Sequence, residues 1–113
     1  MKIIFLIALF SINFQVFAEE KAFEKNGVTY RLSLHHELWV SSHCLQECLA
    51  LKKPQVTPEI SHSSNPAAEF CHKAQGNYQV VTEQSGLPES LCLFSDGSYI
   101  KAWDYYRKFK PNK

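Results

Sequence analysis

Four cysteines and five histidines are the residues of this chain best equipped for chemistry: Cys44, Cys48, Cys71 and Cys92, with His35, His36, His43, His62 and His72. An even number of cysteines in a short exported chain favours disulfides, and four cysteines permit three pairings. A redox-active thiol is disfavoured, because there is no Cys-x-x-Cys and no evident group to lower a thiol pKa. Cys44 and Cys48, with His43 beside them, fit zinc-ligand spacing loosely, but no second pair follows at a matching interval. If Cys44 and Cys48 lie on a regular helix, their Cβ atoms stand about 5–6 Å apart. A disulfide needs about 3.8 Å. They then distort the helix, pair elsewhere or stay free. The carboxylates Glu37, Glu47, Glu59, Glu69, Glu83, Glu89 and Asp96 form no recognisable constellation with a nucleophile. Asp96 is better explained by the Asp96-Gly97 turn. No catalytic residue, cofactor or metal is therefore assigned, and the chain reads as a non-enzyme.

The elements that position these residues begin with a targeting segment. Met1-Lys2 gives a charged start, residues 3–10 are uninterruptedly apolar, and Ala18 supplies a small residue before Glu19-Glu20. This is the layout of a cleavable signal peptide over residues 1–18. Ser11, Asn13 and Gln15 interrupt an apolar stretch that is already shorter than the roughly 20 residues a spanning helix needs. The first cysteine, Cys44, lies too far on for a lipoprotein. A soluble periplasmic or secreted product is expected, with no stable membrane insertion after cleavage. The whole chain carries 12 basic and 11 acidic residues, and Lys2 is the only charge before residue 19. The exported part is neutral, and nucleic acid is not an expected partner.

Along the exported part, Glu19–Asn26 reads as charged and frayed, and Asn26-Gly27 as a turn. Val28, Tyr30, Leu32 and Leu34 alternate with polar residues as a half-buried strand does. From Glu37 to Lys53 the apolar residues recur at steps of three and four (Leu38, Leu45, Cys48, Leu49), which predicts an amphipathic helix ended by Pro54. Residues 53–64 read as a linker. Asn65 then caps a helix with Pro66 at its first position, and Gly76 stops it. Strands are expected over 78–82 and 91–94, with turns at 85–88 and at Asp96-Gly97. Trp103, Tyr106 and Phe109 predict one aromatic stripe on a short last helix, with Tyr105 off it. These rings, Tyr105 included, read as core and rim rather than as a ligand-stacking patch. The C-terminal end is basic, with Lys101, Arg107, Lys108, Lys110 and Lys113 against Asp104.

Several of these anchors carry a resemblance. Asn65-Pro66-Ala67, Phe70-Cys71, Gly76-Asn77, then Cys92 to Ser98, then Trp103 to Arg107 resemble a small bacterial domain labelled hemolysin-like and catalogued as domain of unknown function 333. The match runs from about residue 65 to 107. Family members commonly carry two further cysteines, where this chain has Ile100 and the stretch from Lys108 to Lys110. Their joint absence implies that Cys71 and Cys92 pair, with Cys44 and Cys48 as a possible second pair. The label implies no lysis here. No apolar segment beyond the signal could span a bilayer, and membrane barrels start at about eight strands.

The expected fold is α+β: a small disulfide-braced domain over 65–113 with a helix, a β-hairpin and a short C-terminal helix, preceded by a strand–helix segment and linker over 19–64. The expected function is binding of another envelope or extracellular macromolecule. The alternatives are inhibition of an extracytoplasmic enzyme through the loop at Ser85–Glu89, or metal binding by the His and Cys residues between 35 and 48.

Overall fold

The computed structural model describes residues 19–44, 47–56 and 64–111. The signal peptide read at 1–18 lies outside the described residues, as do Leu45, Glu59 and His62. The strands are β1 (Glu20–Lys25), β2 (Val28–His35), β3 (Leu38–Ser41), β4 (Asn77–Glu83), β5 (Pro88–Leu93) and β6 (Tyr99–Lys101). They close an antiparallel barrel in the order β1-β2-β3-β6-β5-β4. A single 3₁₀ turn (Leu49–Leu51) and two helices, α1 (Pro66–Lys73) and α2 (Ala102–Phe109), complete the described part. The expected α+β architecture is overturned: the protein is mostly sheet, and the barrel takes three strands from either side of the central loop.

The largest single correction concerns residues 37–53, where no α-helix forms among the described residues. His36 and Glu37 have φ of 48° and 68° and make the tight turn between β2 and β3. Trp39 and Val40, aromatic and β-branched, suit a pleated strand. Val40 packs outward against the helices, and Trp39 packs with the barrel interior. The apparent helical spacing joins two unrelated segments, β3 and the 3₁₀ turn. Residues 20–25, read as frayed, form β1 and pair with β2 over six positions. β1 lacks an apolar alternation because only Phe23 is a large apolar residue there. Lys21 and Lys25 share its face and bury their aliphatic stems, the Lys21 ammonium lying 4.7 Å from the Trp39 ring centre and Lys25 bonding Gln79.

Two apolar clusters follow from strand alternation. Phe23, Leu32, Val81 and Leu91 meet inside the barrel. Cys92, next to Leu91, points the opposite way, as successive strand residues do. It joins Val40, Ile100, Ala67, Phe70, Cys71, Phe94, Ala102 and Tyr105 in a second cluster beneath the helices. Lys101 also faces inward, paired to Glu89 at 3.5 Å and 5.3 Å from the Trp39 ring centre.

The buried sulfurs of Cys71 on α1 and Cys92 on β5 are joined, with 5.7 Å between the Cα atoms. Closing a loop of this length contributes roughly 3 kcal/mol in the chain-entropy picture. Gly76 owes its identity to this bond. A Cβ there would stand 2.9 Å from Cys71 Sγ and closer still to Cys92 Sγ. The helix stop is also displaced from the expected place. Gln75, with φ of 65°, takes the left-handed position. Gln75 N–H bonds His72 O, and Gly76 N–H bonds Cys71 O at 2.8 Å. This is a Schellman closure one residue earlier than read from sequence. Gly76→Ala should therefore destabilise the oxidised protein by about 2 kcal/mol, the scale of overpacking a filled core. Urea unfolding checks this, and a change under 0.5 kcal/mol would contradict it.

Candidate functional site

Helix α2 grows directly out of β6, so the strand ends where the helix begins. That leaves β3 paired to β6 at only one position, Val40 opposite Ile100. The next amide along, Trp39 N–H, donates instead to Asp104 Oδ2 at 2.9 Å. Arg107 Nη2 holds the other oxygen of the same carboxylate at 2.7 Å. Asp104 is buried, so its charge needs both partners. Within α2, then, Asp104 seals the barrel seam and Arg107 steadies Asp104.

Tyr105 is the ring that α2 buries. It is 1% exposed and stands 5.2–5.3 Å, centre to centre, from Phe70, Phe94 and Phe109. Of the aromatic stripe expected from Trp103, Tyr106 and Phe109, the last two are half-buried against the core, Tyr106 meeting Phe70 at 5.8 Å, and Trp103 stays at the rim. Trp103 is 38% exposed and meets Tyr106 edge-on at 5.9 Å. Lys110 Nζ lies 5.6 Å from the centre of the Tyr106 ring. Trp103, Tyr106, Arg107 and Lys110 are spaced at i, i+3, i+4 and i+7, which sets them in one row along the helix. This row of aromatic and cationic groups, standing on a helix anchored to a closed barrel, is the candidate site. The rings read from sequence as core and rim divide with Tyr105 in the core and Trp103 at the rim. Tyr105 wins the core because Ala102 and Tyr105 follow the face that continues from Ile100.

The other residues singled out from sequence fall in separate places. Cys44 and Cys48 are joined to each other, with Cα atoms 5.8 Å apart, and neither lies in a helix. Their thiolates are thereby removed from a metal site. His35 and His36 touch edge-on at the β2–β3 turn, and His43 lies 5.6 Å from the Tyr99 ring. His72 is exposed on α1, as Glu37 and Glu47 are in their loops. Glu69 pairs with Lys73 and Glu89 with Lys101. Among the described residues, no three His, Cys, Asp or Glu side chains gather in a metal-binding group.

Asp96 is brought into contact with a distant segment. Its Oδ2 accepts Leu49 N–H at 2.8 Å, and its Oδ1 accepts Ser98 N–H at 2.9 Å and Ser98 Oγ at 2.6 Å. Ser98 Oγ in turn accepts Ala50 N–H at 3.1 Å. The Asp-Gly-Ser turn thus tethers the 3₁₀ segment to the β5–β6 hairpin. Burial pushes the Asp96 carboxyl up, but the hydrogen bonds from Leu49 and Ser98 outweigh it, and the net shift is downward. A carboxylate with a lowered folded pKa adds stability that is present above its unfolded value, about 3.9. That stability is lost as pH falls through the folded value. Asp96→Asn should melt below the parent at pH 7, with the gap closing as pH is taken from 5 to 2. A gap that stays constant over that range would contradict the tether.

Asn65 Oδ1 caps α1 through Ala68 N–H at 3.2 Å, Gly76 makes room for the sulfurs, and Asp96 and Asp104 hold neighbouring segments. The two disulfides fit an oxidising compartment. No helix among the described residues is long and apolar enough to cross a membrane. No curated protein and no solved structure matches the chain. The hemolysin-like label has no counterpart in the family description. Residues 63–109 match the model of DUF333, a domain of unknown function, and this part of the chain belongs to that family.

Proposed function

We propose that the protein is a non-enzymatic binding module of the periplasm or extracellular space, and that it holds another macromolecule through the outer row of α2. The observation that carries this reading is Trp103. The Asp104 and Tyr105 side chains beside it are committed to the barrel seam and the core, whereas Trp103 stands 38% exposed against Tyr106. Trp, Tyr and Arg are the side chains that most often dominate protein interfaces. Arg107, Lys108 and Lys110 make the surroundings cationic, so the partner's contact face is acidic. Export through the signal peptide and an oxidising compartment supply the setting in which such a module would act.

A second reading, inhibition of an extracytoplasmic enzyme, is favoured by one observation. Leu87 is 62% exposed on the β4–β5 turn, whose geometry is held by Gly86 N–H to Glu83 O and Glu83 N–H to Leu87 O, both at 2.8 Å. The two readings separate by variant. Envelope extract passed over the immobilised oxidised protein should yield a partner that Trp103→Ala loses at least tenfold, that leaves at high salt, and that Leu87→Ala retains. Equal recovery on the Trp103→Ala variant would contradict the α2 reading. Loss confined to Leu87→Ala would favour the inhibitor.

A further inference from the structure

A groove of about 290 Å³ runs between the Leu49–Gln55 segment, the end of α1, the β5–β6 turn and α2. Its size is near the lower end for small-molecule sites, roughly 300–1,000 Å³. Phe94, Leu49 and Pro54 line it with apolar surface, and the two cationic residues Lys52 and Lys53 also line it. No carboxylate lines it. The neighbouring Asp96 carboxylate is engaged by Leu49 and Ser98. Among the described residues neither lysine has a salt-bridge partner.

The second observation is the Tyr105 hydroxyl. Tyr105 is 1% exposed, and its hydroxyl has no hydrogen-bond partner among the described residues. Yet every fully enclosed side-chain nitrogen or oxygen among those residues is satisfied. The hydroxyl is therefore not fully enclosed, and Tyr105 lines the groove. Burial pushes the phenol far above its ordinary value, so it stays protonated and can donate.

We propose that this groove binds a small organic carboxylate, with its anion held by Lys52 and Lys53, its apolar body on Phe94 and Leu49, and a hydrogen bond donated by Tyr105. An unsatisfied donor, two unpaired cations and an apolar floor complement that one class of ligand. A bare inorganic anion would leave the floor unused, and a neutral ring would leave the lysines unused. The site shares no residue with the α2 row, so either can fail without the other.

Amide NMR of the oxidised protein, titrated with benzoate and with its neutral isostere benzamide, tests the assignment. Benzoate should shift the amides of Leu49, Lys52, Gln75 and Ser95, and benzamide should bind at least fivefold more weakly. Tyr105→Phe removes only the unpartnered hydroxyl. It should keep the parent's melting temperature while weakening benzoate at least threefold. Lys52→Gln should weaken benzoate as well. The proposal is overturned if benzoate leaves these amides unmoved at tens of millimolar, if benzamide or inorganic phosphate binds equally well, or if Tyr105→Phe binds benzoate as the parent does.

Discussion

The bond between Cys71 and Cys92 ties the helical layer to the barrel wall, and most of the second cluster is arranged around it. Both sulfurs are sealed from solvent. α1 lies across the barrel at the level of β5 because its inner face carries Cys71 together with Ala67 and Phe70. α2 then packs beside α1 through Tyr105 against Phe70. A chain of this length has a modest core and a net stability of only about 5–15 kcal/mol. A cross-link worth roughly 3 kcal/mol is a large share of that. Gly76 is the steric condition for it, since no side chain fits beside the sulfurs.

Polar side chains do a second kind of joining, wherever a strand or helix ends early. The short β6 leaves Trp39 N–H without a strand neighbour, and Asp104 supplies the acceptor. The single 3₁₀ turn cannot satisfy its own first amides, and Asp96 and Ser98 do so from the β5–β6 hairpin. The Ala50 amide is buried, and left unpaired it would cost about 1–3 kcal/mol. These carboxylates therefore serve architecture.

What could be read from sequence was local. Asn65-Pro66 opens α1, Asn26-Gly27 turns β1 into β2 with φ of 51° and 81°, and the alternation from Val28 to Leu34 lies on β2. These signals depend on a residue and its near neighbours. β1, β3 and β6 were not legible because their evidence lies across the barrel. β1 has one large apolar side chain, β3 has four residues, and β6 has three. Each is a strand because a neighbour pairs with it. The aromatic row on α2 was legible as a spacing but not as a direction, because Tyr105 could be placed in the core only once β6 was known to feed the helix. The groove was invisible for a related reason, since its walls come from four separate segments.

The central claim is that a closed barrel and its helical layer are held together by a covalent bond from α1 to β5. Peptide mapping of the unreduced protein by mass spectrometry tests this most directly. The account predicts one linked peptide pair joining Cys71 to Cys92 and a separate bond between Cys44 and Cys48, with no free thiol. A bond from Cys71 or Cys92 to either of the first two cysteines would contradict it, because those sulfurs could not then meet beneath Gly76.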